Sequence, residues 1–342
     1  MNDVINFINV AGFLGSGSSA VVDLLKEFEN FNECDSEIRF VKDPYGIIDL
    51  ESALINHWDL INSAAAIADF REMCRKGCRH GGHFFSRPGM GYVRKINPDF
   101  MKITDQYIDK LTDFEYIGDY YHFKFKKNYL KYLIDRYRTA IEIYTKGKLK
   151  TGNRNLKPLH FSCPTQQKFN EATKWYIDEI FRPLCCGLES PFIILDQAVP
   201  ATNTQVIHRY FNNSKMIIVD RDPRDTFVNE FLSGCYLGND YNDVQGGRNY
   251  VLQQRKLRES MVIDKDILYV KFEDLILKYD DTRKIIADFL DVPLSKHINK
   301  HKYLKTEISA KNIGLWKKHY EKCKNVIDVI EKELPDLCYE LK

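Results

Sequence analysis

Residues 4–25 constrain this chain more than any other stretch. The apolar run Val4-Ile5-Asn6-Phe7-Ile8-Asn9-Val10 leads into Gly12-Phe13-Leu14-Gly15-Ser16-Gly17-Ser18-Ser19 and then Ala20-Val21-Val22-Asp23-Leu24-Leu25. That order reads as strand, tight loop, helix. Glycines at 12, 15 and 17 open backbone conformations closed to other residues, so successive N–H groups can converge on one anion at a helix N-terminus. The spacing approaches the nucleotide loop GxxxxGK[ST], but Ser18 stands at the lysine position with Ser19 after it. The stretch is therefore either a phosphate cradle without the mark of an NTPase or simply the tight turn of an α/β domain.

A second segment favours the cradle. Lys215-Met216-Ile217-Ile218-Val219-Asp220 is a β-branched run suited to a buried parallel strand, and Arg221-Asp222-Pro223-Arg224-Asp225 follows it. Ligands of open α/β sheets bind at strand C-terminal ends, and the arginine fork matches a phosphate. Pro223 suits the first turn of a following helix, and Asn229, eight residues after Arg221, is placed to reach the same anion.

At these residues the chain resembles the sulfotransferases that use 3′-phosphoadenosine 5′-phosphosulfate (PAPS), including the bacterial carbohydrate and glycan type. That family pairs a strand-loop-helix for the 5′-phosphosulfate with a later strand ending in Arg-x-Pro-x-Asp, whose arginine and a serine eight residues on hold the 3′-phosphate. Here Arg221 to Asp225 match, and Asn229 replaces the serine. Leu268-Tyr269-Val270-Lys271-Phe272-Glu273-Asp274-Leu275 resembles the family's strand ending in Glu-Asp-Leu. The helix around Thr282 to Leu290 leads to Phe289-Leu290-Asp291-Val292, like a Phe-Leu-Gly exit. Ser309-Ala310-Lys311-Asn312-Ile313-Gly314-Leu315-Trp316 resembles the late basic Gly-Trp segment that closes over the 3′-phosphate. The resemblance covers roughly residues 4–50 and 190–320. It implies PAPS as co-substrate with no metal, held by Gly12, Gly15, Ser16, Gly17, Ser18, Ser19, Arg221, Asn229, Lys311, Asn312 and Gly314.

The chain departs from the family in the first loop, where the usual Lys or Arg falls on Gly15. The glycosaminoglycan branch ends its second strand in Lys-Glu-Pro, with the glutamate as general base. Arg39-Phe40-Val41-Lys42-Asp43-Pro44 lies at the corresponding place, so the resemblance implies that Lys42 supplies the charge and Asp43 takes the acceptor's proton. Sulfuryl transfer is an in-line displacement whose leaving phosphate needs backbone N–H groups, a helix dipole and a cation. A carboxylate base needs its pKa raised by burial or a neighbouring acid, whereas the adjacent Lys42 lowers it. Asp196, closing Phe192-Ile193-Ile194-Leu195, is the rival base, or else a loop cap.

The expected architecture is α/β: a P-loop-type parallel sheet flanked by helices, with residues 1–342 as one sulfotransferase-like domain. A mainly helical insertion over 64–188, rich in Tyr, Phe and Lys, is expected to hold the acceptor, with most of its aromatics in helix cores. Helical spacing is expected over 128–144 and 165–180, and in an amphipathic tail with Val326, Ile327, Ile330 and Leu334. The formal charge of +2 argues against a nucleic-acid partner. No apolar run approaches a membrane span and no signal segment opens the chain, which makes a cytoplasmic location the default. Cys74, Cys78, His80 and His83 could supply four metal ligands, but the spacing is too compact for a common zinc module and no metal is expected.

Three function classes follow. The first is a PAPS-dependent sulfotransferase acting on a hydroxyl or amine, on a carbohydrate or glycolipid. The second is a P-loop kinase or NTPase, disfavoured by Ser18. The third is a non-catalytic 3′,5′-ADP-binding protein, suggested by Gly15.

Overall fold

The β-branched and aromatic runs pair as a five-stranded parallel sheet in the order β2-β5-β1-β6-β7: β1 (Asn6–Gly12), β2 (Phe31–Glu33), β5 (Phe192–Asp196), β6 (Ser214–Asp220) and β7 (Ile267–Lys271). A separate antiparallel pair joins β3 (Phe114–Gly118) to β4 (Lys157–Phe161). This computed structural model describes residues 5–13, 15–34, 37–79, 89–118, 128–149, 157–188, 191–233 and 243–340.

Strand periodicity divides the apolar side chains between two cores. Phe7, Met216 and Ile218 face one side with Phe40, Tyr176 and Phe181. Ile8, Val10, Ile217 and Val219 face the other with Val21, Leu24 and Phe272. At about 1.5–3 kcal/mol for each large side chain fully buried, these two layers hold the sheet rigid beneath whatever sits on its rim. Because β1 lies between β5 and β6, the chain leaves it toward one side of the sheet and later returns on the other. The crevice at the C-terminal end of β1 is thus a topological switch point.

Helix α1 (Ser18–Leu25) follows β1 directly. Helices α2 (Leu60–Gly77), α3 (Phe100–Leu111) and α5 (Gln166–Phe181) lie within or across the expected insertion and share the core of the sheet's first face. Most of their aromatics are buried as expected: Tyr107 and Tyr176 stack at 4.5 Å, with hydroxyl partners Thr173 Oγ1 at 2.8 Å and Thr104 Oγ1 at 2.9 Å. Those partners satisfy phenols that would otherwise be costly to bury. Helix α4 (Tyr129–Tyr144) differs. It buries no side chain and leaves Leu130, Ile134, Tyr137, Ile141 and Tyr144 exposed, so its aromatics are not core.

Helices α6 (Pro223–Ser233), α7 (Val244–Arg258) and α9 (Leu315–Glu333) form a third cluster around Phe227, Tyr250, Val326, Ile327 and Ile330, while the short α8 (Phe272–Leu277) leads off β7. Among the described residues no helix is long and apolar enough to cross a membrane.

The strand expected to end at Lys42-Asp43-Pro44 is absent. Asp43 N–H donates to Arg39 O at 3.0 Å and Gly46 N–H to Asp43 O at 2.7 Å, coiling the chain into successive turns. A Cβ at Gly46 would lie 2.8 Å from three carbonyl oxygens, so only glycine permits this packing.

Candidate functional site

The loop after β1 is built for a close approach. Gly15 and Gly17 have φ of 70° and 82°, and Gly17 caps α1 with no side-chain acceptor for the helix's first N–H groups. A Cβ at Gly12 would collide with Ser16 Oγ, and one at Gly17 would lie 2.8 Å from the Phe272 ring. Packing of Ser16 and Phe272 thus requires glycine at 12 and 17, and the first N–H groups of α1, with its dipole, face the cavity without a side-chain cap.

Arg221 closes the far side. Its Nη1 donates to Gly15 O at 3.1 Å and its Nη2 to Asn312 O at 2.6 Å, with the guanidinium 5.0 Å from the Phe272 ring centre. It is buried, which pushes its pKa down, and its Nε has no protein partner. One arginine thus ties the glycine loop to the Ser309–Trp316 segment.

The rest of that motif holds the frame together. Arg224 turns away from the cavity, pairing with Asp222 at 2.6 Å and Glu331 at 2.7 Å and packing on Trp316 at 4.2 Å. Asp225 accepts from Gly314 N–H at 2.7 Å and Trp316 N–H at 2.9 Å, which positions the start of α9. Asp222 N–H donates to the buried Glu273, whose carboxyl burial raises to about 7.

A cavity of about 650 Å³ lies over these elements, lined by Gly12, Gly15, Ser16, Gly17, Ser18, Ser19, Arg221, Asn229 and Asn312. Lys42 and Asp196 line it too, beside Asp23, Glu37, Arg39 and Gln197. Lys42 Nζ donates to Gln197 Oε1 at 2.9 Å, and Gln197 Nε2 donates to Ser18 Oγ at 2.7 Å. Burial, then the nearby Arg39, lowers the Lys42 pKa. Asp196 is moved the other way, from 3.8 to about 6, chiefly by burial and then by repulsion from Glu37 and Glu33. Its Oδ1 accepts no hydrogen bond.

Three expected site residues lie apart. Asp43 does not line the cavity, and its carboxylate accepts from Arg39 Nε at 2.7 Å. Lys311 is exposed and outside the lining; Gly314 is buried, spending its N–H on Asp225. Cys74 is sealed in the core against Tyr176, its thiol pushed up to about 12 by burial, while His80 and His83 lie outside the described residues. Gln197, Glu37 and Asp23 were not legible as site residues. Gln197 directly follows the candidate Asp196 but has no charge or spacing to single it out, and Glu37 and Asp23 meet the cavity only through the fold.

Neither protein-family models nor curated proteins match this chain. Solved structures similar to it include the sulfotransferase domain from the Synechococcus PCC 7002 olefin synthase, 12% identical over 99% of this chain and 96% of that one, with a TM-score of 0.43. A second is retinol dehydratase in complex with androsterone and the inactive cofactor PAP, 15% identical over 98% and 82%, with a TM-score of 0.36. A third is the sulfotransferase domain from the curacin biosynthetic pathway, 13% identical over 100% and 99%, with a TM-score of 0.38.

Proposed function

We propose that the chain is a PAPS-dependent sulfotransferase that sulfates a hydroxyl or amine of a carbohydrate or glycolipid. The observation that carries this reading is the convergence, on one cavity, of a glycine loop at a helix N-terminus, Arg221, Lys42 and a carboxyl raised to about 6. The residues fit the nucleotide: the start of α1 leaves its first N–H groups without a side-chain cap at the cavity, and Arg221 keeps an unpartnered buried Nε beside it.

In this reading the loop N–H groups, Ser18 and Ser19 hold the 5′ end, and Arg221 and Asn229 the 3′-phosphate. The bound co-substrate supplies an activated sulfuryl group and a phosphate leaving group. Lys42 places positive charge where the leaving oxygen gains electrons as its bond to sulfur breaks. Asp196 takes the proton from the acceptor atom as that atom bonds to sulfur. A carboxyl at about 6 is ionised near neutral pH yet more basic than an exposed aspartate, which suits a general base. We assign this role to Asp196 rather than Asp43, because Asp43 is spent on Arg39. Asp23, Glu37 and Asp196 share one wall with Arg39 and Lys42, and Glu37 pairs with Arg39 at 2.6 Å, so the wall offers both signs of charge to an acceptor.

Calorimetry in the presence of a chelator tests the reading. Binding of 3′,5′-ADP without metal supports it, and binding of ATP only with Mg²⁺ points to a kinase or NTPase. Binding of 3′,5′-ADP with no transfer to any acceptor in a sugar and glycolipid panel leaves a nucleotide-binding protein.

A further inference from the structure

The bridge between Lys42 and Ser18 is made from a strained backbone. Gln197 has φ of 56°, in the left-handed region that side chains rarely occupy. The residue is not in a free loop, because its N–H donates to Val10 O at 2.9 Å and extends the β5–β1 pairing one step beyond Asp196. That conformation turns the amide into the cavity, where it accepts from the ammonium and donates to the hydroxyl. A neutral amide does both with separate atoms, its oxygen accepting and its nitrogen donating. Ser18 Oγ, accepting from Gln197, keeps its own proton to donate, and Lys42 keeps two N–H bonds.

The loop itself has no way to carry the charge. A Cβ at Gly15 would point at Thr226 Cγ2, 3.2 Å away, and toward Glu230, 3.7 Å away, from a left-handed backbone. A Lys or Arg there would start from a strained backbone and be drawn to the Glu230 carboxyl, so a cation from another element is better placed to reach the ligand.

We propose that Gln197 is a positioning residue of this site: it orients the Lys42 ammonium and the Ser18 hydroxyl onto the 5′-phosphate end of the nucleotide, replacing the cation that the loop lacks at Gly15. The inference rests on the nucleotide reading given above.

The decisive variant is Gln197→Gly, which removes the amide and relieves the backbone together. Calorimetry with 3′,5′-ADP and with adenosine 3′-phosphate, alongside thermal unfolding, separates the outcomes. The expected result is a melting temperature equal to or above wild type, 3′,5′-ADP affinity about tenfold weaker, and unchanged affinity for adenosine 3′-phosphate, which has no group at the 5′ end. Loss of stability with equal loss for both ligands would make Gln197 a structural residue only. Should Gln197→Gly fail to fold, Gln197→Asn carries the same comparison, since asparagine tolerates the left-handed backbone but stops one methylene short of Lys42. Wild-type protein that binds 3′,5′-ADP, with a variant that binds it equally well, overturns the positioning role alone. Wild-type protein that binds no 3′,5′-ADP overturns the nucleotide reading and this inference with it.

Discussion

Replacing Asp196 with asparagine should make the protein more stable and less active at once. Burial and the repulsion of Glu37 and Glu33 move this carboxyl from 3.8 to about 6. At about 1.36 kcal/mol per pKa unit, the ionised form opposes folding by about 3 kcal/mol, and solvent screening at a half-buried group reduces this to about 1–2 kcal/mol. The sign follows from the raised folded-state pKa. Below about pH 4 the group is protonated in both states and nothing is lost; as pH rises through about 6 the unfolded chain ionises first and stability falls. Asp196→Asn stays neutral and escapes that loss. Scaling the unfolding entropy per residue to 342 residues gives about 1.5 °C per kcal/mol, so the variant should melt about 1.5–3 °C above wild type at pH 8 and level with it at pH 4. Differential scanning calorimetry across this range is the assay, and it needs no acceptor. With one, transfer should fall about 100-fold, and the wild-type rise in rate through about pH 6 should disappear. An asparagine variant less stable than wild type at pH 8, or equally stabilised at both pH values, would refute the argument.

Other expectations are checked on the same protein. Arg221→Ala should weaken 3′,5′-ADP binding by about 1.5–3 kcal/mol, the range for a charged hydrogen bond, and affect adenosine 5′-phosphate far less; equal losses by calorimetry count against a 3′-phosphate contact. Gly17→Val places a β-branched residue at φ 82° against Phe272, so it should destabilise by about 1–3 kcal/mol and abolish 3′,5′-ADP binding, which denaturant titration and calorimetry together report. Asp43→Asn removes a partly exposed pair with Arg39 and should cost at most about 1 kcal/mol. Its transfer rate should stay within about threefold of wild type, and a loss of about 100-fold would return the general base to Asp43.

The sheet, the glycine loop and the strand end carrying Arg221 were readable in the sequence because they rest on local rules. Continuous apolar runs rich in β-branched residues specify β1 and β6, and Gly15 and Gly17 mark left-handed backbone that other residues rarely adopt. Arg221, and not Arg224, was legible as a cavity residue through the Arg-x-Pro-x-Asp resemblance, but what turns Arg224 away was not. Asp222, Glu331 and Trp316, from separate elements, do so. The Arg39 to Asp43 spacing hid a turn, since i to i+4 contact and Gly46 outweigh the β-branched Val41. Gln197 was legible only as the neighbour of Asp196, because its place in the site comes from a left-handed φ and from partners at positions 18 and 42.

The place of β1 in the sheet has a consequence for how the molecule is made. Its pairing partners are residues 192–196 on one edge and 214–219 on the other, so the first strand synthesised is the central one and waits longest for company. Until those segments leave the ribosome, Ile5, Phe7, Ile8 and Val10 have no sheet to enter, and both edges of the strand remain open to pairing with another chain. Closing contacts so distant in sequence also slows folding. A nascent or truncated chain ending before residue 190 should therefore aggregate or bind chaperones even with the whole glycine loop present, because the loop is shaped by strands that have yet to arrive.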